Sequence, residues 1–386
     1  MSHYLDHAAT TPVRREVLEA MWPYLAGGAD GVFGNPSSHH EAGERAAAAL
    51  ADARSRIAAA LGCRPGEVVL TSGGTEADNL AVTGIALGDP RGRHVVTTPI
   101  EHDAVLGSAD ALRRLHGFDI DYLPVAPDGR VDPAALAAAL RSDTTLVSVQ
   151  HANNEVGTVQ PIAELAAVAR AAGVPFHTDA VQSAGWLPVG LDRLGADAVS
   201  IAGHKLGAPK GIGALAVRGG IPLEPVLHGG GQERGRRSGT ENVAGAVGLA
   251  TALELTPSSE SITELAAARD VLIAEVRDRL PSALLTGPDP AAGHRLPNHA
   301  SFCFPASNGE TVLLELERHG VTASSGSACA AGSDDASHVL LALGLEEDVA
   351  RTAVRFTLPI GFTREDARAV AARVAAAVAA VTELRR

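Results

Sequence analysis

The stretch "VPFHTDAVQ", residues 174–182, carries an apolar run into a carboxylate, Asp179, and reaches Gln182 three residues later. The next apolar run, "DAVSIAGHKLGAPKG" (197–211), delivers Lys205, 26 residues after Asp179 (205 − 179). Two apolar runs that each end on a chemically capable side chain fit an open α/β sheet, where ligands sit beyond the carboxyl ends of the strands. Outward from this pair the same alternation continues. Apolar runs recur at "EVVLT" (67–71), "HVVTT" (94–98), "FDIDYL" (118–123), "TTLVSVQ" (144–150) and "IGALAV" (212–217). Helical stretches such as "DPAALAAALRSD" (132–143) and "IAELAAVARAAG" (162–173) lie between them, the latter stopped by Gly173. Strand–helix alternation of this kind predicts a largely parallel sheet covered on both faces.

After about residue 250 the character changes. The Pro/Ser stretch "LTPSSES" (255–261) leads into a long helix, then "ASFCF" (300–304), the helix "GETVLLELERHG" (309–320), "AVRFTL" (353–358) and a final Ala-rich helix. This pattern predicts a smaller α+β domain. The expected division is a large domain over 13–250 and a small one over 251–386 joined by residues 1–12. The N-terminal helix "REVLEAMWPYLAG" (15–27) is a further candidate for the small domain.

Composition narrows the function. The chain has 386 residues, 46% apolar and 20% charged, which is globular, and its net charge of −13 disfavours nucleic acid and anionic lipid alike. No run approaches the length of a membrane span, and the start "MSHYLDHAATTP" has neither the basic nor the apolar region of a signal peptide. Three cysteines, Cys63, Cys303 and Cys329, make a disulfide framework improbable and a reducing cytoplasm the simplest location. No histidine pair has metal-ligand spacing such as HExxH. Only two lysines occur, Lys205 and Lys210, both in "GHKLGAPKG". Chemistry that needs an amine therefore has two candidates, and Lys210, between Pro209 and Gly211, suits a turn.

"TSGGTEADN" (71–79) follows an apolar run and precedes a helix, so Gly74 and Thr75 lie where a helix N-terminus can seat a phosphate. A plain N-cap by Thr75 or Asp78 is the competing reading. "GIGALA" (211–216) matches a dinucleotide fingerprint by letter, but it falls in a strand and is discarded. A carboxylate at the site of Asp179 can hold a proton on a heteroaromatic nitrogen; a lone Asp is also commonly a turn residue. A partly desolvated lysine forms Schiff bases, against the default of a solvated surface lysine. Taken in order, the phosphate seat, the carboxylate and the lysine suit pyridoxal 5'-phosphate.

The sequence strongly resembles the cysteine desulfurases of the class V aminotransferase superfamily, pyridoxal-phosphate enzymes of fold type I. The likeness runs through "YLDHAATTP" (4–12), "FGNPSS" (33–38), "TSGGTEADN", "EHDAV" (101–105), "HANNEVG" (151–157), "HTDAVQ", "GHK" (203–205), "HGGGQERGRRSGTEN" (228–242), "SSGSACAAG" (324–332) and "RFTL" (355–358). The spacing from Cys329 to "SHVLLALG" (337–344) matches the branch with a long cysteine loop, the iron–sulfur-cluster and nitrogen-fixation type. The resemblance implies a mostly parallel sheet of the seven-stranded type and a homodimer. It makes Lys205 the lysine that holds the cofactor aldehyde and later moves protons on the substrate. It pairs Asp179 with the pyridinium nitrogen and Gln182 with the ring oxygen, and stacks His102 on the ring for acid–base steps. Gly74, Thr75 and His204 would hold the phosphate, with Thr240 reaching the phosphate of the other subunit. Asn154, also near the cofactor, and Arg355 would bind the substrate carboxylate region, and Cys329 would be the nucleophile that takes sulfur from L-cysteine and passes it to an acceptor protein. Two positions depart from the family: Ala202 stands where a phosphate-binding serine is frequent, and Gln232 where some members have histidine. The competing functions are a selenocysteine lyase or another class V enzyme, and a catalytically idle scaffold.

Overall fold

A computed structural model describes residues 2–26, 31–325 and 336–383. Strand β1 (His3–Tyr4) opens the chain and is followed by β2 (Val68–Thr71), β3 (His94–Thr97), β4 (Asp119–Tyr122), β5 (Thr144–Ser148), β6 (Phe176–Asp179), β7 (Ala198–Ala202) and β8 (Gly213–Val217). Strands β2 to β8 form one seven-stranded sheet in the order β2-β8-β7-β6-β5-β3-β4. All run the same way except β8, which is antiparallel to both neighbours. Each apolar run named above the small domain becomes one of these strands. Every strand except β4 is buried along its whole length, as expected where helices cover both faces.

Alternation along the strands feeds two cores. Val69, Val95, Leu146 and Leu215 pack under the helices Gly74–Gly88 and Asp103–His116. Val68, Leu70, Val96, Val147, Phe176 and Val199 face the opposite layer, which includes the helices Glu41–Ala60 and Val243–Glu254. The helix Arg15–Leu25 belongs to this layer: Val17 and Met21 are buried in the same core, against Val243–Glu254. That corrects its candidacy for the C-terminal unit. Its apolar face is short, and the sequence does not say which core receives it.

The remaining strands are β9 (Leu284–Leu285), β10 (His299–Cys303), β11 (Val321–Thr322) and β12 (Ala353–Thr357). β9, β10 and β12 make a three-stranded antiparallel sheet, and β1 pairs in parallel with β11. A separate core gathers Phe302, Phe304, Phe356 and the facing sides of the helices Ser259–Arg279 and Arg364–Glu383, and Leu5 from the N-terminus is buried within it. No helix among the described residues is long and apolar enough to cross a membrane.

Candidate active site

The site is assembled from turns that leave the carboxyl ends of five aligned strands. β2 runs into the helix Gly74–Gly88, whose N-cap is Gly73 with no side-chain cap. Neither Thr75 nor Asp78 therefore caps the helix; Thr75 is exposed and Asp78 is buried. A Cβ at Gly74 would lie 2.7 Å from Val181 Cγ2 and 3.3 Å from Ala202 Cβ. The helix thus begins against the ends of β6 and β7, with bare backbone N–H groups at its tip, which is the form of an anion seat. The 228–242 segment docks here too: Arg237 Nε donates to Glu76 Oε1 at 2.7 Å, and Thr240 is exposed.

Asp179 ends β6 and is buried. Its Oδ1 accepts the Val181 N–H at 2.8 Å. Burial pushes its carboxyl above the usual range, opposed by that hydrogen bond and by the positive fields of His102 and Lys205. Two more buried carboxyls stand close by. Burial, with the field of Asp179 added, raises Asp78 well above its ordinary value and Glu101 to about 8. Beside Asp179 on the same face of β6, His177 is held between the hydroxyls of Ser148 and Ser200, each 2.9 Å away, and burial lowers it to about 3.

Lys205 follows β7 in a single 3-10 turn, Gly203–Lys205. Its Nζ donates to the carbonyls of Ala8 and Ala9, the latter at 2.8 Å, so the "YLDHAATTP" segment meets the lysine. The Gln182 amide also donates to Ala8 O, at 3.0 Å. His204 Nδ1 lies 3.2 Å from Thr10 Oγ1, and burial lowers it to about 4, which makes it a neutral ring at pH 7.

His102 caps the helix Asp103–His116, its Nδ1 accepting the Ala104 N–H at 3.1 Å. An accepting Nδ1 puts the ring proton on Nε2. In this state the ring is a donor at Nε2, and taking up a proton at Nδ1 requires the Ala104 contact to give way. Arg355, in β12, is buried; its Nη2 donates to Asp6 Oδ1 at 2.7 Å and its Nη1 to the Asn154 carbonyl at 3.0 Å, while Nε has no hydrogen-bond partner among the described residues. Asp6 is a partner that sequence reasoning missed, although it stands in the "YLDHAATTP" motif. Cys329 lies outside the described residues. Cys303 is buried and Cys63 half-buried; burial pushes their thiols up to about 12 and about 11. No group of three or more His, Cys, Asp or Glu among the described residues could hold a metal ion.

A helix tip after β2, a buried carboxylate ending β6 and a lysine after β7, on this sheet, define the fold type I architecture of pyridoxal-phosphate enzymes. The model of the aminotransferase class-V family matches residues 3–370, and the chain belongs to that family. Among its relatives are a cysteine desulfurase IscS of Dictyoglomus turgidum, 46% identical over 366 residues (94% of this chain, 91% of the relative). An IscS-like cysteine desulfurase of Mycobacterium tuberculosis is 45% identical over 363 residues (92% and 91%). Similar solved structures include a NifS-like protein, with TM-score 0.89 and 35% identity over 98% of this chain and 100% of that one. SspA in complex with cysteine has TM-score 0.80 and 37% identity over 93% and 99%.

Proposed function

We infer that the protein is a cysteine desulfurase, removing sulfur from L-cysteine to give L-alanine and a persulfide on Cys329. The observation that carries this reading is Asp179, buried at the end of β6 and subject to the fields of both His102 and Lys205. A buried carboxylate needs a cation beside it, and a protonated ring nitrogen supplies one. The cradle at Gly74, closed to any Cβ by Val181, suits the phosphate of the same molecule. The residues fit pyridoxal 5'-phosphate. Asp179 and Gln182 would hold its ring, His102 would lie against it, and Lys205 would join its aldehyde. Gly74, Thr75, His204 and the partner subunit's Thr240 would hold its phosphate. Bound there, the cofactor supplies an electron sink for breaking bonds at the substrate's Cα and Cβ.

The chain's own groups do the rest. Arg355, with Asn154 beside it, takes the carboxylate of L-cysteine, for which a guanidinium edge is well shaped. The Lys205 amine moves the proton at Cα. The Cys329 thiolate attacks the substrate sulfur. A new S–S bond forms, the Cβ–S bond breaks, and its electron pair stays on carbon, which takes up a proton to become the methyl group of alanine. An ordinary thiol, with pKa about 8.5, is only slightly ionised at pH 7, so the thiol needs local activation. His102 is the candidate base, once its Nδ1 is released from Ala104. The sulfur then passes to an acceptor protein. Cysteine usage fits a reducing cytoplasm, and the exposed Thr240, read as reaching the phosphate of the other subunit, fits a homodimer. The chain divides into 13–250 and 251–386 with 1–12.

The test is product formation. Wild-type protein supplied with pyridoxal phosphate releases alanine from L-cysteine in step with sulfide under a reductant. Lys205→Ala loses the yellow absorbance and forms no alanine. Alanine release by Lys205→Ala at the wild-type rate would refute the assignment. Protein that stays colourless in added cofactor would favour the idle-scaffold alternative.

A further inference from the structure

The chain that carries Cys329 is held on both sides. Upstream, Ser324 exchanges two backbone hydrogen bonds with Arg355, 3.2 Å from Ser324 N and 2.7 Å from Arg355 N. Downstream, Ser337 caps the short helix His338–Ala342, its Oγ accepting the Leu340 N–H at 3.2 Å. The same hydroxyl donates to the Glu155 carboxylate, and His338 Nε2 lies 3.1 Å from the Glu101 carbonyl. Val339 and Leu340 are buried in one cluster with Ile100 and Val156. The helix therefore sits, by apolar and polar contacts together, on the turns that follow β3 and β5. Those turns hold His102 and Asn154. Glu155 is itself buried, among the charges of His338, Arg355 and Asp103.

We propose that Glu155, Ser337 and His338 are positioning residues, fastening the downstream foot of the Cys329 segment to the turns that carry His102 and Asn154. This rests on the reading of Cys329 as the nucleophile. Cys329 stands five residues after Ser324 and eight before Ser337. At about 3.5 Å per residue the two tethers span at most ~17 and ~28 Å. Two fixed feet confine the thiol to the overlap of these reaches and raise its effective concentration at the substrate, as a matched linker does. A foot fastened to the catalytic turns also keeps that overlap in register with them.

The experiment uses the holoenzyme with Ser337→Ala and Glu155→Ala, and with Ser337→Thr and Glu155→Gln, which preserve a hydroxyl donor and an oxygen acceptor. Single-turnover persulfide formation on Cys329 and iodoacetamide alkylation of Cys329 are followed by peptide mass. Cys63 and Cys303 provide a slow background, since burial suppresses their thiolates. The alanine variants slow persulfide formation about 5- to 10-fold, the value of one buried hydrogen bond, and speed alkylation. The cysteine concentration that half-saturates the cofactor's absorbance change stays constant. The threonine and glutamine variants rescue both rates. Wild-type persulfide formation and alkylation in the alanine variants would overturn the inference, as would losses in the conservative variants equal to those in the alanine ones. Desulfuration by Cys329→Ala would overturn the underlying reading instead, whatever the foot variants do.

Discussion

Three carboxyls, Asp78, Glu101 and Asp179, are buried within reach of one another's charge; the field of His102 acts on both Glu101 and Asp179, and that of Lys205 on Asp179. In a low-dielectric site that difference decides which acid ionises. The Val181 N–H and Lys205 favour the charged form of Asp179 against its burial, and Glu101 keeps its proton to about 8. The sign of the linkage follows. An unfolded Glu101 ionises near 4.5 while the folded one holds its proton to about 8, so the stability it contributes is lost as pH rises across that window. Glu101→Gln does not titrate. Its stability relative to wild type therefore increases by up to about 1.4 kcal/mol per pH unit between those limits. Urea unfolding of both proteins from pH 5 to 9 measures the difference, and a difference independent of pH would contradict it. Asp179 and Lys205 were legible as residues because each ends an apolar run. Glu101 and His177 were not, because their pKa values come from burial among residues distant in sequence.

At the scale of elements, all seven strands of the large sheet were legible, since buried strands are continuous apolar runs bounded by turn residues. The reversal of β8 was not, because direction depends on which neighbour a strand meets. The docking of helix Arg15–Leu25 on Val243–Glu254 was hidden for the same reason. The junction of β7 with the helix Gly74–Gly88 carries a prediction. Ala202 ends β7, buried, and faces Gly74 closely enough that a Cβ there would lie 3.3 Å away. Ala202→Ser returns a hydroxyl to the helix tip. One hydrogen bond worth about 1 kcal/mol slows cofactor loss about fivefold. Dialysis against cofactor-free buffer, followed by absorbance, reads the rate, and loss at the wild-type rate would show that the hydroxyl does not reach the phosphate.

For the whole molecule, the order of the motifs is legible in the sequence, whereas which of them are buried together is not. The "YLDHAATTP" segment is the clearest case. It reads as a polar start, yet Leu5 completes the second core, Asp6 holds Arg355, and the Ala8 carbonyl meets both Lys205 and Gln182. An assembly prediction belongs at this scale. If the partner subunit's Thr240 completes each site, Lys205→Ala and Thr240→Ala should complement. A hybrid dimer then holds one site with both defects and one with neither, giving about half the wild-type activity per dimer. Co-expressed, separately tagged subunits purified through both tags provide it. A hybrid no more active than its parents would place Thr240 in its own subunit's site.

Intact-mass and peptide-mass measurement of holoenzyme given one equivalent of L-cysteine shows whether Cys329 receives the sulfur. The expected result is one added sulfur, located on Cys329, with alanine formed in equal amount. Cys329→Ala keeps the yellow absorbance and forms neither persulfide nor excess alanine. Undiminished desulfuration by Cys329→Ala, or the added sulfur found on Cys63 or Cys303, would contradict it.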